Sequence, residues 1–87
     1  MKYDDAKQAM IGAADMKLIM NAYKGPIETL SIEASANLAK KEIDELLLAA
    51  KDKNWEHVIL EAGDVFNFIM GIVFVAMQQY ERRKDVK

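Results

Sequence analysis

At 87 residues the chain has the length of a single domain, 1–87, and excludes an enzyme built from a catalytic domain and a separate cofactor fold. Hydrophobic residues are 52% and charged residues 30%, which excludes a disordered chain; a net charge of −2 leaves no basic field for a nucleic-acid backbone. A chain of this size buries only about 60% of the surface its unfolded form exposes, and it has no cysteine to staple it, so its apolar balance predicts self-association. The first residues, MKYDDAKQ, carry acids where a secretory signal needs a basic stretch and an apolar core, and the expectation is a cytoplasmic protein.

Two breaks divide the chain into three long helical segments. Lys24-Gly25-Pro26 can end one helix and open another, and the polar run 51–54 ends in Asn54, a residue suited to capping the next helix. The first segment, about 4–23, places Ala6, Ala9, Met10, Ala13, Met20 and Tyr23 on one face, with Ile11, Leu18 and Ala22 forming a second apolar line. Met10, Met16 and Met20 read as core packing in preference to a plastic binding surface. In the second segment, about 29–50, Thr29 or Ser31 is available as a cap. At about 100° per residue, Leu38, Glu42, Glu45 and Ala49 share one stripe.

The third segment, about 55–84, is apolar almost all the way round over 65–77. Glu61 and Asp64 close that run on one side and Gln78, Gln79 and Glu81 on the other, short of the roughly 20 residues a membrane span requires. The expectation is an all-α helical bundle of about three long helices, completed by oligomerisation around this segment and without a membrane.

Acids interrupt the apolar stripes of both later helices. Glu42 and Glu45, and likewise Glu61 and Asp64, are three residues apart and so neighbours on a helix face. Two antiparallel helices presenting these pairs inward would gather four carboxylates, whose mutual repulsion a divalent cation would relieve. An all-oxygen set selects hard ions such as Mg²⁺ or Mn²⁺, and magnesium's preference for phosphate as a further ligand points to a polyphosphate substrate.

Glu42-Ile43-Asp44-Glu45, followed after fifteen residues by Glu61-Ala62-Gly63-Asp64, resembles the ExxE…ExxD signature of the MazG-like all-α nucleoside triphosphate pyrophosphohydrolases. Lys41 through Leu46, Trp55 with Glu56, and Val65 through Phe68, including an asparagine three after the aspartate, are similar to the surroundings of those motifs. The likeness covers about 31–83 and leaves the first helix unmatched in detail. It implies hydrolysis of a nucleoside triphosphate to the monophosphate and pyrophosphate by water attacking the α-phosphorus. It further implies Glu42, Glu45, Glu61 and Asp64 as metal ligands, Glu42 or Glu45 as proton acceptor, and a homodimer or a tetramer. A variant within the same superfamily is phosphoribosyl-ATP pyrophosphatase. The rival from another class is a catalytically silent helical oligomerisation or nucleotide-binding module of the same fold.

The remaining polar residues each have two readings. Asn67, in an otherwise apolar turn, needs hydrogen-bond partners and resembles the family asparagine that approaches the nucleotide. Lys41 can meet a phosphate or pair with Glu45, and Lys40 has the same ambiguity. Arg82 and Arg83 can fold back over phosphates, as basic residues near this place do in relatives, or complement the helix dipole. His57, four before Glu61, can orient a water or simply be solvated; its spacing does not suit a di-iron carboxylate bundle.

Overall fold

The computed structural model describes residues 1–85 and is all-α. Helix α1 spans Tyr3–Met20, α2 spans Ile32–Lys51 and α3 spans Trp55–Asp85. Asp4 and Asp5 lie in the first turn of α1, at the positive end of its dipole, and the Asp5 carboxylate accepts from the Lys2 backbone N–H at 3.0 Å. The helix stops at Met20, three residues before the sequence pattern suggested, because the chain tightens into a 3₁₀ turn over Ala22–Lys24. Gly25 comes next at φ 94°, a conformation that favours glycine, and Pro26 leads into a second 3₁₀ turn over Ile27–Thr29. Ser31 is the residue that caps α2, its hydroxyl accepting from the Ala34 N–H at 3.1 Å. The α2–α3 turn is closed by Asn54, whose side-chain oxygen accepts from the His57 N–H at 3.3 Å.

Helix α3 is the spine: α1 and α2 both pack on it and hardly touch each other. Close approach is possible because the crossing residues are small. A Cβ on Gly63 would stand 2.6 Å from the Ala13 carbonyl carbon and 2.7 Å from the Ala14 nitrogen, so α1 rests its backbone directly on α3 there. Two turns and a little further along, Gly71 leaves room for Ile27, whose Cγ2 a Cβ would meet at 2.9 Å.

Among the described residues the buried apolar side chains are alanines only, Ala13, Ala14, Ala39 and Ala49, and the other buried side chains are the polar Ser35, Glu61, Asp64 and Asn67. The line of α1 that packs runs through Met10, Ala13, Ala14, Lys17 and Asn21, whereas Ala6, Ala9, Met20 and Tyr23 are exposed. Of the three methionines expected in the core, only Met10 is partly covered; Met16 and Met20 stand about half exposed. On α3, Ile69, Met70, Val73, Phe74 and Met77 are exposed as well. By length and composition, the stretch Trp55–Arg83 is sufficient to cross a membrane, which a count of the uninterrupted run alone understated. The same properties belong to the central helix of a helical assembly.

Candidate metal and substrate site

The acids expected to converge come from facing stripes of α2 and α3. One oxygen each from Glu42, Glu45 and Glu61 lies within 4.8 Å of the other two. Two oxygens bound to one hard cation at about 2.1–2.4 Å can be separated by up to roughly that distance, so these three carboxylates fit a metal ion. Glu61 is 3% exposed, and its Oε2 is buried with no hydrogen-bond donor.

Asp64 is placed differently from the expectation of four carboxylates repelling one another. Its Oδ2 takes the Lys17 ammonium at 3.1 Å and its Oδ1 accepts from Asn21 Nδ2 at 3.3 Å. Lys17 also stands 3.6 Å from Glu61 Oε1, which His57 Nε2 approaches at 3.3 Å. The repulsion is therefore partly answered from within the chain, by a lysine on α1.

These neighbours set the proton affinities. Glu42 is pushed up to about 8 by burial, then by sharing a proton with Glu61 and by the proximity of Glu45. Burial pushes Glu61 in the same direction, but the hydrogen bond from Glu42 and the charges of Lys17 and His57 outweigh it and hold Glu61 below the ordinary carboxylate value. Burial would lower Lys17, yet its hydrogen bond to Asp64 and the two carboxylate charges raise it. Either a proton on Glu42 or a cation can satisfy the orphaned Glu61 oxygen.

The acids border a cavity of about 680 Å³ whose other walls are the α1–α2 connection from Ala22 to Leu30 and residues of all three helices. That volume lies within the roughly 300–1,000 Å³ typical of small-molecule sites. Lys17, Lys24 and Lys41 line it beside the carboxylates. Asn67 lines it too: its Nδ2 donates to the Ala14 carbonyl at 2.8 Å, which leaves its buried Oδ1 without a partner. Lys40 is exposed. Arg82 and Arg83 stand eighteen and nineteen positions beyond Asp64 on the same helix, roughly 27 Å along its axis, and do not line this cavity.

Glu42, Glu45, Glu61, Asp64, Asn67 and Lys41, which the motifs and their surroundings single out, all border this cavity, and so do Lys17 and Asn21, which those motifs do not include. A signal for both existed: they interrupt the small-residue line of α1 at intervals of three and four, as the acids interrupt the stripes of α2 and α3. In comparisons with family models, curated proteins and solved structures, nothing matches this chain.

Proposed function

We propose that this protein is a nucleoside triphosphate pyrophosphohydrolase, with Glu42, Glu45 and Glu61 holding Mg²⁺ or Mn²⁺ and Asp64 beside them. The observation that carries the reading is the convergence of three carboxylates from two helices, one with a buried unpartnered oxygen, on the wall of a lysine-lined cavity. The ExxE…ExxD resemblance names the reaction this arrangement suits. A divalent ion bound there would supply charge neutralisation for the polyphosphate and Lewis acidity toward the attacking water.

The chain's own groups account for the rest. Lys24 and Lys41 offer ammonium donors to phosphate oxygens. Glu42, whose proton affinity without metal is raised to about 8, would give up that proton to a bound cation, and whichever of Glu42 and Glu45 the ion leaves free suits acceptance of the proton from water as it attacks the α-phosphorus and pyrophosphate leaves. Asn67, held through its Nδ2, presents Oδ1 as an acceptor for a donor on the sugar or base. Arg82 and Arg83 would reach phosphates only across a subunit boundary in a homodimer or tetramer, since within one chain they are remote.

A second reading, the silent helical module, is favoured by one observation: Lys17 already pairs with Glu61 and Asp64, as in a structural salt bridge. Incubation with a panel of nucleoside triphosphates and Mg²⁺, scored for pyrophosphate, separates the two. We expect pyrophosphate release that Glu45→Gln lowers by orders of magnitude. Absence of release from every nucleotide would leave the silent module as the better account.

A further inference from the structure

We propose that Lys17 is a resident cation of the acidic site, standing where a second divalent ion would otherwise bind, so that each chain holds one divalent cation and not two. This rests on the reading of the acids as a metal-holding cluster and deepens it by fixing the number of ions. Four carboxylates on two facing helices suffice for a pair of ions about 3.5–4 Å apart, a common arrangement for cleaving phosphate bonds. Here the four are divided. Glu42, Glu45 and Glu61 meet within 4.8 Å, and Asp64 stands outside that group with both oxygens engaged by Lys17 and Asn21.

Lys17 occupies the junction between the two parts. Its ammonium touches Asp64 at 3.1 Å and Glu61 Oε1 at 3.6 Å, while Glu61 Oε2 is the buried oxygen left without a donor. The Glu61 carboxylate thus turns one oxygen to a positive charge the chain supplies and keeps the other for something the chain does not supply, save a proton on Glu42. Lys17 is not there by chance rotation of a surface side chain. It is 13% exposed, and the backbone contact of Ala13 and Ala14 with Gly63 fixes the turn of α1 that carries it. An ammonium brings one charge and three donors, enough to neutralise this half of the site; it can donate to a phosphate oxygen but cannot coordinate and acidify a water as a metal ion does. Metal-assisted chemistry is thereby confined to the Glu42–Glu45–Glu61 side.

The test counts ions. Metal-stripped full-length protein is titrated with Mn²⁺, and free ion is followed by electron paramagnetic resonance. The wild type should bind one Mn²⁺ per chain without spin coupling between ions. Lys17→Gln, which takes the ammonium away from Asp64 Oδ2 and Glu61 Oε1, should bind two, the second at least tenfold tighter than any second ion in the wild type, with the broadening that coupled spins produce. Lys17→Arg, which keeps the charge, should bind one. If Lys17→Gln is unfolded without metal, circular dichroism during the titration reads it: helix recovered with two ions per chain supports the proposal, and failure to recover, or recovery with one, overturns it. Two coupled ions in the wild type, or one ion in folded Lys17→Gln, would overturn the role of Lys17 and spare the cluster. No Mn²⁺ bound by the wild type would overturn both.

Discussion

Glu42 and Asp64 are both carboxylates of the ExxE…ExxD pattern, yet their surroundings give them opposite effects on stability. Glu42 has a raised proton affinity, about 8 against an ordinary value of 4.5, so the folded state without metal binds a proton that the unfolded chain releases. That contribution is fully present below about pH 4.5 and is lost as pH rises through about 8. Glu42 is only partly buried, and water reduces what the shift is worth; Glu42→Gln should therefore gain about 1 kcal/mol at pH 9, or roughly 4–8 °C in Tm, and little at pH 5. Thermal unfolding of both proteins in a chelator across that range checks it, and parallel pH profiles would refute it. Asp64→Asn should have the other sign. It weakens a buried contact with Lys17 and leaves that ammonium on Glu61 alone, a loss of about 2 kcal/mol in urea unfolding without metal. Repulsion among the acids, taken alone, predicts no loss, and the difference is due to Lys17.

At the scale of elements, one crossing decides where the site forms. Gly63 lets the backbone of α1 lie against α3, and this contact brings the Ala14 carbonyl to Asn67 and Lys17 to Glu61 and Asp64. In Gly63→Ala the new methyl meets backbone, which cannot swing aside as a side chain can. The gain in helix propensity of about 1 kcal/mol is outweighed by separation of the helices, and we expect a net loss of about 1–3 kcal/mol. Gly12 is the matched control, also helical but with nothing within 4 Å of its would-be Cβ. Gly12→Ala should stabilise by about 0.5–1 kcal/mol. Urea midpoints of the two variants, moving in opposite directions, are the measurement; equal shifts would show that the crossing is not tight. Ser31→Ala, which removes the α2 cap, should cost about 1 kcal/mol by the same assay.

For the whole molecule, the surface is larger than its mass requires. The chain exposes 6851 Å², whereas a compact monomer of 9.9 kDa exposes about 5,200 Å². The excess, roughly 1,600 Å², exceeds the roughly 800 Å² that each partner contributes to a standard interface. Much of the exposed apolar surface lies along α3 at Ile69, Met70, Val73, Phe74 and Met77, while among the described residues the fully buried apolar side chains are alanines. A second copy is the occupant expected for that face. Light scattering at micromolar concentration should give at least a dimer, and Phe74→Glu, placing a charge within the face, should shift it toward monomer or to poorly soluble protein. A wild-type monomer under those conditions would remove the argument for a shared core. Partition of the purified protein into lipid vesicles instead would assign the same face to a membrane.

The sequence by itself determined the local features: three helices close to their observed limits, the turn at Gly25, the cap at Asn54, a cap at either Thr29 or Ser31, and two pairs of acids each on one helix face. These come from periodicity and from residues at most four apart, which interact whatever else the chain does. Only the tertiary structure decided that Glu42, Glu45 and Glu61 meet while Asp64 turns to Lys17 and Asn21. It likewise decided that Arg82 and Arg83 lie far along α3 from the cavity and that Met16 and Met20 remain uncovered in one chain. Those outcomes depend on how α1 is rotated and seated on α3. That seating is set by backbone contact at Gly63 with residues about fifty positions away, a pairing that no helical period within either segment encodes.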